Sequence, residues 1–298
     1  MSHDHSHEIA TYNRSFAIGV LLNTIFVVIE VAYGLYADSL ALIADAGHNL
    51  SDVMSLLLAW GASVLATKSA TENRTYGFRK ATILASLISA IVLLFALGGI
   101  TWEAIGRFQN PKPVVGNIVI MVATIGVFIN TITALLFVSG QKHDLNIRGA
   151  FLHMAADAAV SLGVVVAGVI IIFTGWQWID PVISLAIVAV IFLGSWGLLR
   201  DSIYYVLDFV PGRIDNRGIQ QFLLNIAKVQ SIHDLHIWPL STTETALTVH
   251  LVVNDDVLDN QFLVDIQRHL HDKFGVEHST IQIESLSTES HCNLKNNC

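Results

Sequence analysis

The sequence predicts a membrane protein in two parts: an all-α bundle of six transmembrane helices, then a small C-terminal α/β domain of ferredoxin-like type. Three observations predict it. Only 13% of the 298 residues are charged, against about 25% in a soluble domain. The charge is unevenly spread: residues 81–102, 114–139 and 181–199 contain no Asp, Glu, Lys or Arg, and each run approaches or exceeds the ~20 residues that carry a helix across ~30 Å of hydrocarbon. After Pro211 the composition turns polar and acidic, with 11 Asp and Glu against 6 Lys and Arg over residues 211–298.

Three further runs, 16–36, 39–66 and 149–176, reach spanning length with ionisable residues embedded in them. One such run could be a core helix of a soluble protein; six in succession could not. The expected helices cover about 15–36, 40–66, 81–106, 114–139, 146–174 and 180–204. Pro111 and Pro113 punctuate the third connection, and Asp180-Pro181 opens the sixth helix. Lys68, Arg74, Arg79 and Lys80 fall in the second connection, Lys142 and Arg148 in the fourth, and Arg200 at the end of helix six; Arg107 and Lys112 are the basic residues of the other side. The positive-inside rule therefore places both termini in the cytoplasm. The compact build suits a bacterial inner membrane.

The C-terminal part reads as αββαβ. Ile219, Phe222, Leu223 and Ile226 form one helical stripe, and Leu258, Phe262, Ile266, Leu270 and Phe274 a second. Residues 231–238, 245–253 and 279–285 alternate as strands. The expected organisation is a His-containing tail over 1–14, the transmembrane domain over 15–208, a cytoplasmic domain over 209–286 and a flexible tail over 287–298. The N-terminal segment, MSHDHSHEIATYNR, lacks the pattern of a cleavable signal. Cys292 and Cys298 stand in the polar tail and support no disulfide framework, which fits a reducing compartment. A domain this acidic excludes nucleic acid as a partner.

The chemistry lies inside the apolar runs. An ionisable residue at membrane depth costs roughly 2.5–3.5 kcal/mol or more unless it meets a partner or a cavity. Helix two carries Asp45, His48 and Asp52, three and four residues apart and hence on one face; helix five carries His153 and Asp157, four apart. A lone buried polar residue often only bridges helices by hydrogen bonds, as Glu30, Asn23 and Asn130 can. A doubled His-x-x-x-Asp pattern points instead to a shared ligand. Two imidazoles and two carboxylates make a closed tetrahedral site suited to zinc, with bonds of ~2.0–2.2 Å. The carboxylates offset a dication's charge in a low-dielectric interior, and protons compete with the metal for all four groups. Asp45 reads as support for this set, or as a cap near the outer mouth.

The segments SLALIADAGHNLSD (39–52), YGFRKA (76–81) and LNIRGAFLHMAAD (145–157) resemble the signature segments of the cation diffusion facilitator family, in particular its zinc-exporting CzcD-like branch. The resemblance covers nearly the whole chain. It implies a homodimeric antiporter that moves zinc out of the cytoplasm in exchange for protons by alternating access. It puts the transport ligands on His48, Asp52, His153 and Asp157, with His at position 48 matching the zinc-selective pattern. Some members hold a metal between helices two and three, but KSATENRTYG offers no His or Asp there. The resemblance also makes Lys80 and Asp208 a candidate pair near a dimer interface.

The same resemblance places a cytoplasmic metal site on His233, His250 and Glu284. The strand pattern agrees: Leu247, Val249, Leu251 and Val253 share one face and leave His250 on the other. Gln282 stands where relatives can have a further His. His236 is an accessory candidate, whereas His269, His271 and His278 read as surface residues. His3, His5 and His7, with His291, Cys292 and Cys298, form short metal-binding patterns in the tails. No HExxH, nucleophile elbow or Walker loop occurs, so an intramembrane metalloenzyme is not expected. Export of another dication (Cd, Co, Fe or Mn) is the alternative within the transporter class. A membrane-anchored metal sensor is a further one, disfavoured because an anchor needs no buried carboxylates.

Overall fold

The structure, a computed structural model, describes residues 6–138, 145–254 and 260–285. Six long helices come first: α1 (Ser6–Tyr36), α2 (Leu40–Ala66), α3 (Ala81–Gln109), α4 (Gly116–Phe137), α5 (Leu145–Thr174) and α6 (Ile179–Val206). Helix α1 begins well before the expected position 15, because residues 6–14 contain no Gly or Pro to interrupt it. Helix α3 runs on to Gln109 and stops at Asn110, just before Pro111, whose ring disfavours a helical conformation in the residue before it.

Among the described residues, α3, α4, α5 and α6 are long and apolar enough to cross a membrane, and Val20–Tyr36 of α1 is a shorter apolar stretch. Their outward side chains are large and apolar: Phe95, Trp102 and Phe173 are more than three-quarters exposed. Water would not tolerate such a surface, but lipid would. Inward positions are small, since helix contact in lipid depends on close packing rather than on a hydrophobic drive. A Cβ on Gly126 of α4 would stand 2.6 Å from the Phe26 ring of α1, and one on Gly168 of α5 would stand 2.8 Å from Ile120 of α4. Only glycine permits these approaches.

By its internal contacts the chain divides into two compact units, 1–57 with 88–197, and 58–87 with 198–298. The first has a core built around Phe26, Leu42, Val122, Val164 and Ile187. The second contains the α/β domain: α7 (Asn216–Leu224), β1 (Val229–Pro239), β2 (Thr245–Val253), α8 (Asn260–Phe274) and β3 (His278–Ser285). The αββαβ order is the expected one. The sheet runs β1-β2-β3, with β1 and β2 antiparallel and β2 and β3 parallel, the parallel pair joined through α8. Asp215 caps α7 by accepting from the Gly218 amide at 2.9 Å. Ile219, Leu223, Leu247, Val249, Leu251, Ile266 and Leu270 form the core between helices and sheet.

This second unit also takes in the ends of α2, α3 and α6. The Thr242 amide donates to Thr82 Oγ1 at 3.1 Å, Arg79 pairs with Glu244 at 3.3 Å, and Tyr76 meets the His278 ring edge-on at 5.6 Å. The basic connection 67–80, read from sequence as an orientation signal, is thus also a set of fixed contacts to the β1–β2 turn and to β3.

Candidate metal centres

Helical spacing puts His48 and Asp52 on one face of α2, and His153 and Asp157 on one face of α5. The two faces meet. His48 Nε2 lies 3.1 Å from Asp157 Oδ1, and His153 Nε2 lies 3.1 Å from Asp52 Oδ2. The pairs within each helix are slightly longer, 3.6 Å for His48–Asp52 and 3.7 Å for His153–Asp157. One ligand atom from each residue falls within 4.8 Å of all the others. Four ligands at zinc's usual bond lengths would stand about 3.4 Å from one another around a tetrahedron, so the observed spacing needs little movement to close on an ion. Asp157 is buried and His153 is the most exposed of the four, so the cluster is open on one side and closed on the other. Asp157 Oδ2 and His48 Nδ1 have no hydrogen-bond partner among the described residues.

Asp45 is not among the four, nor does it cap a helix. It is wholly buried in α2 and accepts from Ser161 of α5 at 2.9 Å. Glu30 of α1 is equally buried and accepts from Asn49 of α2 at 3.3 Å. Asn23 reaches the Met154 sulfur at 3.6 Å, a bridge of the kind expected of it, whereas both side-chain polar atoms of buried Asn130 are unpartnered among the described residues.

The start of α2 is held by a residue far away in sequence. Asp180 accepts from the Leu40 amide at 2.8 Å, from the Ala41 amide at 3.2 Å and from the Ser39 hydroxyl at 2.5 Å. These are the unsatisfied donors of a helix N-terminus, and a carboxylate there also meets the positive end of the helix dipole. Arg107 of α3 binds the carbonyl and carboxylate of Asp38, pairs with Glu103 at 3.3 Å and comes within 3.6 Å of Asp180. Asp38 itself has a left-handed backbone, φ 51°. By sequence alone Arg107 is a charge in a connection and Asp180 the opening of helix six; the fold buries both. The clue was available in the cost of an Asp at the mouth of an apolar run, although nothing local named its partner.

In the α/β domain, His233 of β1 stands directly opposite His250 of β2, and His250 opposite Gln282 of β3. His250 Nδ1 is 3.3 Å from His233 Nε2 and 3.0 Å from Glu284 Oε1, and His233 Nε2 is 3.5 Å from Glu284 Oε2. The ligand atoms of the three also lie within 4.8 Å of one another. The donor set fits a divalent ion with one coordination position left over. The other nitrogen of His250, Nε2, lies 3.6 Å from an Asp234 carboxylate oxygen. Gln282 donates to Glu284 at 2.9 Å and so steadies one of the three candidate residues.

A β-bulge separates His233 from His236. Asp234 takes the left-handed conformation there, φ 54°, which Asp tolerates better than most residues. The extra residue brings His236 onto the face of His233, where it pairs with Asp234 at 2.9 Å outside the three-residue group. His269, expected on the surface, is stacked on Phe222 at 4.0 Å. Lys80 and Asp208 meet at 2.8 Å within the chain, both half-exposed. His7 falls in the first turn of α1; His3, His5, His291, Cys292 and Cys298 lie outside the described residues.

Residues 16–207 match the family model for the cation efflux transmembrane domain, and residues 211–286 match that for the cation efflux protein cytoplasmic domain. The chain is similar to the cadmium, cobalt and zinc/H(+)-K(+) antiporter of Bacillus velezensis, at 36% identity over 96% of this chain and 92% of that one. It is 37% identical to the metal cation efflux system protein CzcD of Cupriavidus metallidurans, over 95% and 90% of the two chains. To the zinc transporter ZitB of Pectobacterium atrosepticum it is 33% identical, over 98% and 92%.

Proposed function

The chain belongs to the cation efflux family, and on that premise we propose that it exports zinc from the cytoplasm in exchange for protons, as a homodimer working by alternating access. It is a divalent-metal efflux transporter and not an enzyme. The observation that carries zinc is the reciprocal pairing of His48 with Asp157 and of His153 with Asp52. Two nitrogens and two oxygens from two helices match a small tetrahedral cation better than the all-oxygen cages of larger ones.

The chemistry follows from charge. A bare dication is expelled from a low-dielectric interior; bound to Asp52 and Asp157 its charge is offset. Each ligand must lose its proton to bind, so metal and protons exclude one another on the same atoms. A proton gradient can then drive release on the far side. Six spans, with both termini in the cytoplasm of a bacterial cell, give that exchange its direction. We read the αββαβ domain as a ferredoxin-like dimerisation module whose His233, His250 and Glu284 take up zinc and bias how two copies meet. Such a bias requires that two arrangements of the dimer hold the metal differently.

The test is transport by purified protein in liposomes loaded with a zinc-sensitive dye. Zinc should enter only when an opposing proton gradient is imposed, and Asp157→Ala should abolish entry. Wild-type protein that moves no zinc under any gradient would overturn the reading. Transport of cadmium or cobalt in preference to zinc would favour the broader range of ions for which the Bacillus relative is named.

A further inference from the structure

Glu30 of α1 and Asp45 of α2 are wholly buried, and neither belongs to the four-residue cluster. Each has one oxygen committed to a neutral donor: Glu30 Oε2 to the Asn49 amide at 3.3 Å, and Asp45 Oδ2 to the Ser161 hydroxyl at 2.9 Å. The other two, Glu30 Oε1 and Asp45 Oδ1, receive no donor among the described residues. Yet the two carboxyl groups lie within hydrogen-bonding reach of each other. Ionised carboxylates only accept, and like charges at such range in an apolar interior repel strongly. A pair of this kind holds together through a proton, one acid donating and the other accepting. The donor set argues against a metal. It has no imidazole, and with one oxygen of each acid already tied it offers far fewer than the six or more oxygens a hard cation takes.

We propose that the Glu30–Asp45 pair is a proton-binding site of the exchange, separate from the four metal ligands. The proposal rests on the reading of the chain as a proton-coupled exporter. Asp45 precedes His48 by three residues and Ser161 follows Asp157 by four, so the pair lies about one helical turn from the metal site. The titratable groups that face it are His48 of α2 and Asp157 of α5; α4, packed against α1, has no ionisable side chain. With its proton the pair carries one negative charge. A dication arriving on the four ligands raises the local potential and drives that proton off, leaving two carboxylates beside the metal. Departure of the metal brings one proton back. One O–H bond breaks and re-forms per ion, with no other bond involved.

The experiment counts protons released per zinc bound, by calorimetry of the full-length protein in buffers of different ionisation enthalpy. Glu30→Gln and Asp45→Asn should each release about one proton fewer than wild type, with zinc affinity changed by less than the about 10-fold that marks loss of an outer partner of a metal site. Protons released at the cytoplasmic domain cancel in the difference. An unchanged count in both variants overturns the proposal, as does loss of zinc binding in Asp45→Asn, which would make Asp45 a ligand. If either variant fails to fold, infrared difference spectroscopy of wild type replaces it: zinc should abolish a protonated-carboxyl band, and absence of that band overturns the proposal. These readouts use binding alone, so they stand apart from any failure of wild-type protein to transport.

Discussion

His48 and Asp157, 109 positions apart, meet at 3.1 Å, and His153 and Asp52 repeat the same contact in reverse. Each helix thus contributes one imidazole and one carboxylate, and each imidazole pairs most closely with the carboxylate of the other helix. No half of the site is complete on one helix, so its geometry depends on how α2 and α5 stand to each other.

If the four residues hold the ion as proposed, the reciprocal arrangement makes each of them necessary. Asp157→Ala should leave a folded protein that does not transport zinc. The loss in affinity should exceed the about 100-fold that removal of an outer partner can cost. Zinc binding by calorimetry and flux in liposomes measure it; near-normal flux would remove Asp157 from the site.

Position 48 should set selectivity. In His48→Asp the half-site on α2 becomes all oxygen, less demanding of a tight tetrahedron and better matched to a larger ion. Cadmium should then compete more strongly with zinc than in wild type, by about 10-fold or more in relative uptake. An unchanged uptake ratio would assign selectivity elsewhere.

Acid should weaken zinc binding. The metal binds deprotonated His and Asp, so falling pH fills the ligands with protons and apparent affinity drops, by about tenfold per pH unit for each proton displaced. Rising pH has the opposite effect until the ligands are fully deprotonated, after which affinity levels off. Titration of zinc binding across pH reads this directly; a flat profile would contradict proton competition.

Asp180 should matter without touching the metal. It supplies three hydrogen bonds to the first residues of α2, and Asp180→Ala leaves those donors and Arg107 short of a partner. A loss of about 1–3 kcal/mol in stability is expected, read as a lower thermal midpoint in detergent. Asp180→Asn should recover part of it by keeping an acceptor oxygen. Equal stability of Asp180→Ala and wild type would show that α2 is anchored by other contacts.

The cytoplasmic domain should bind zinc by itself, since it has its own core. A fragment of residues 209–298 should take up about one ion through the donor set of His233, His250 and Glu284, and His250→Ala should lose it. A fragment that binds no zinc would leave this domain a dimerisation module alone.

What sequence fixes here is whatever depends on neighbours along the chain. Six apolar stretches, the αββαβ order and the three- and four-residue spacings of Asp45, His48, Asp52, His153 and Asp157 follow from helical and strand periods, which are local. That His250 leaves the core face of β2 is local as well. The tertiary structure decided which partner each of these residues meets. Asp45 turned from a possible cap into a buried acid beside Ser161 and Glu30, and Asp180 became the cap of a helix 140 positions earlier. His236 comes onto the face that carries His233 and His250 because Asp234 adopts a left-handed backbone at a bulge. Burial gives these groups their importance, because an unpaired polar atom in an apolar interior is costly. Sequence shows that such an atom must find a partner, but the partner comes from the packing of distant segments.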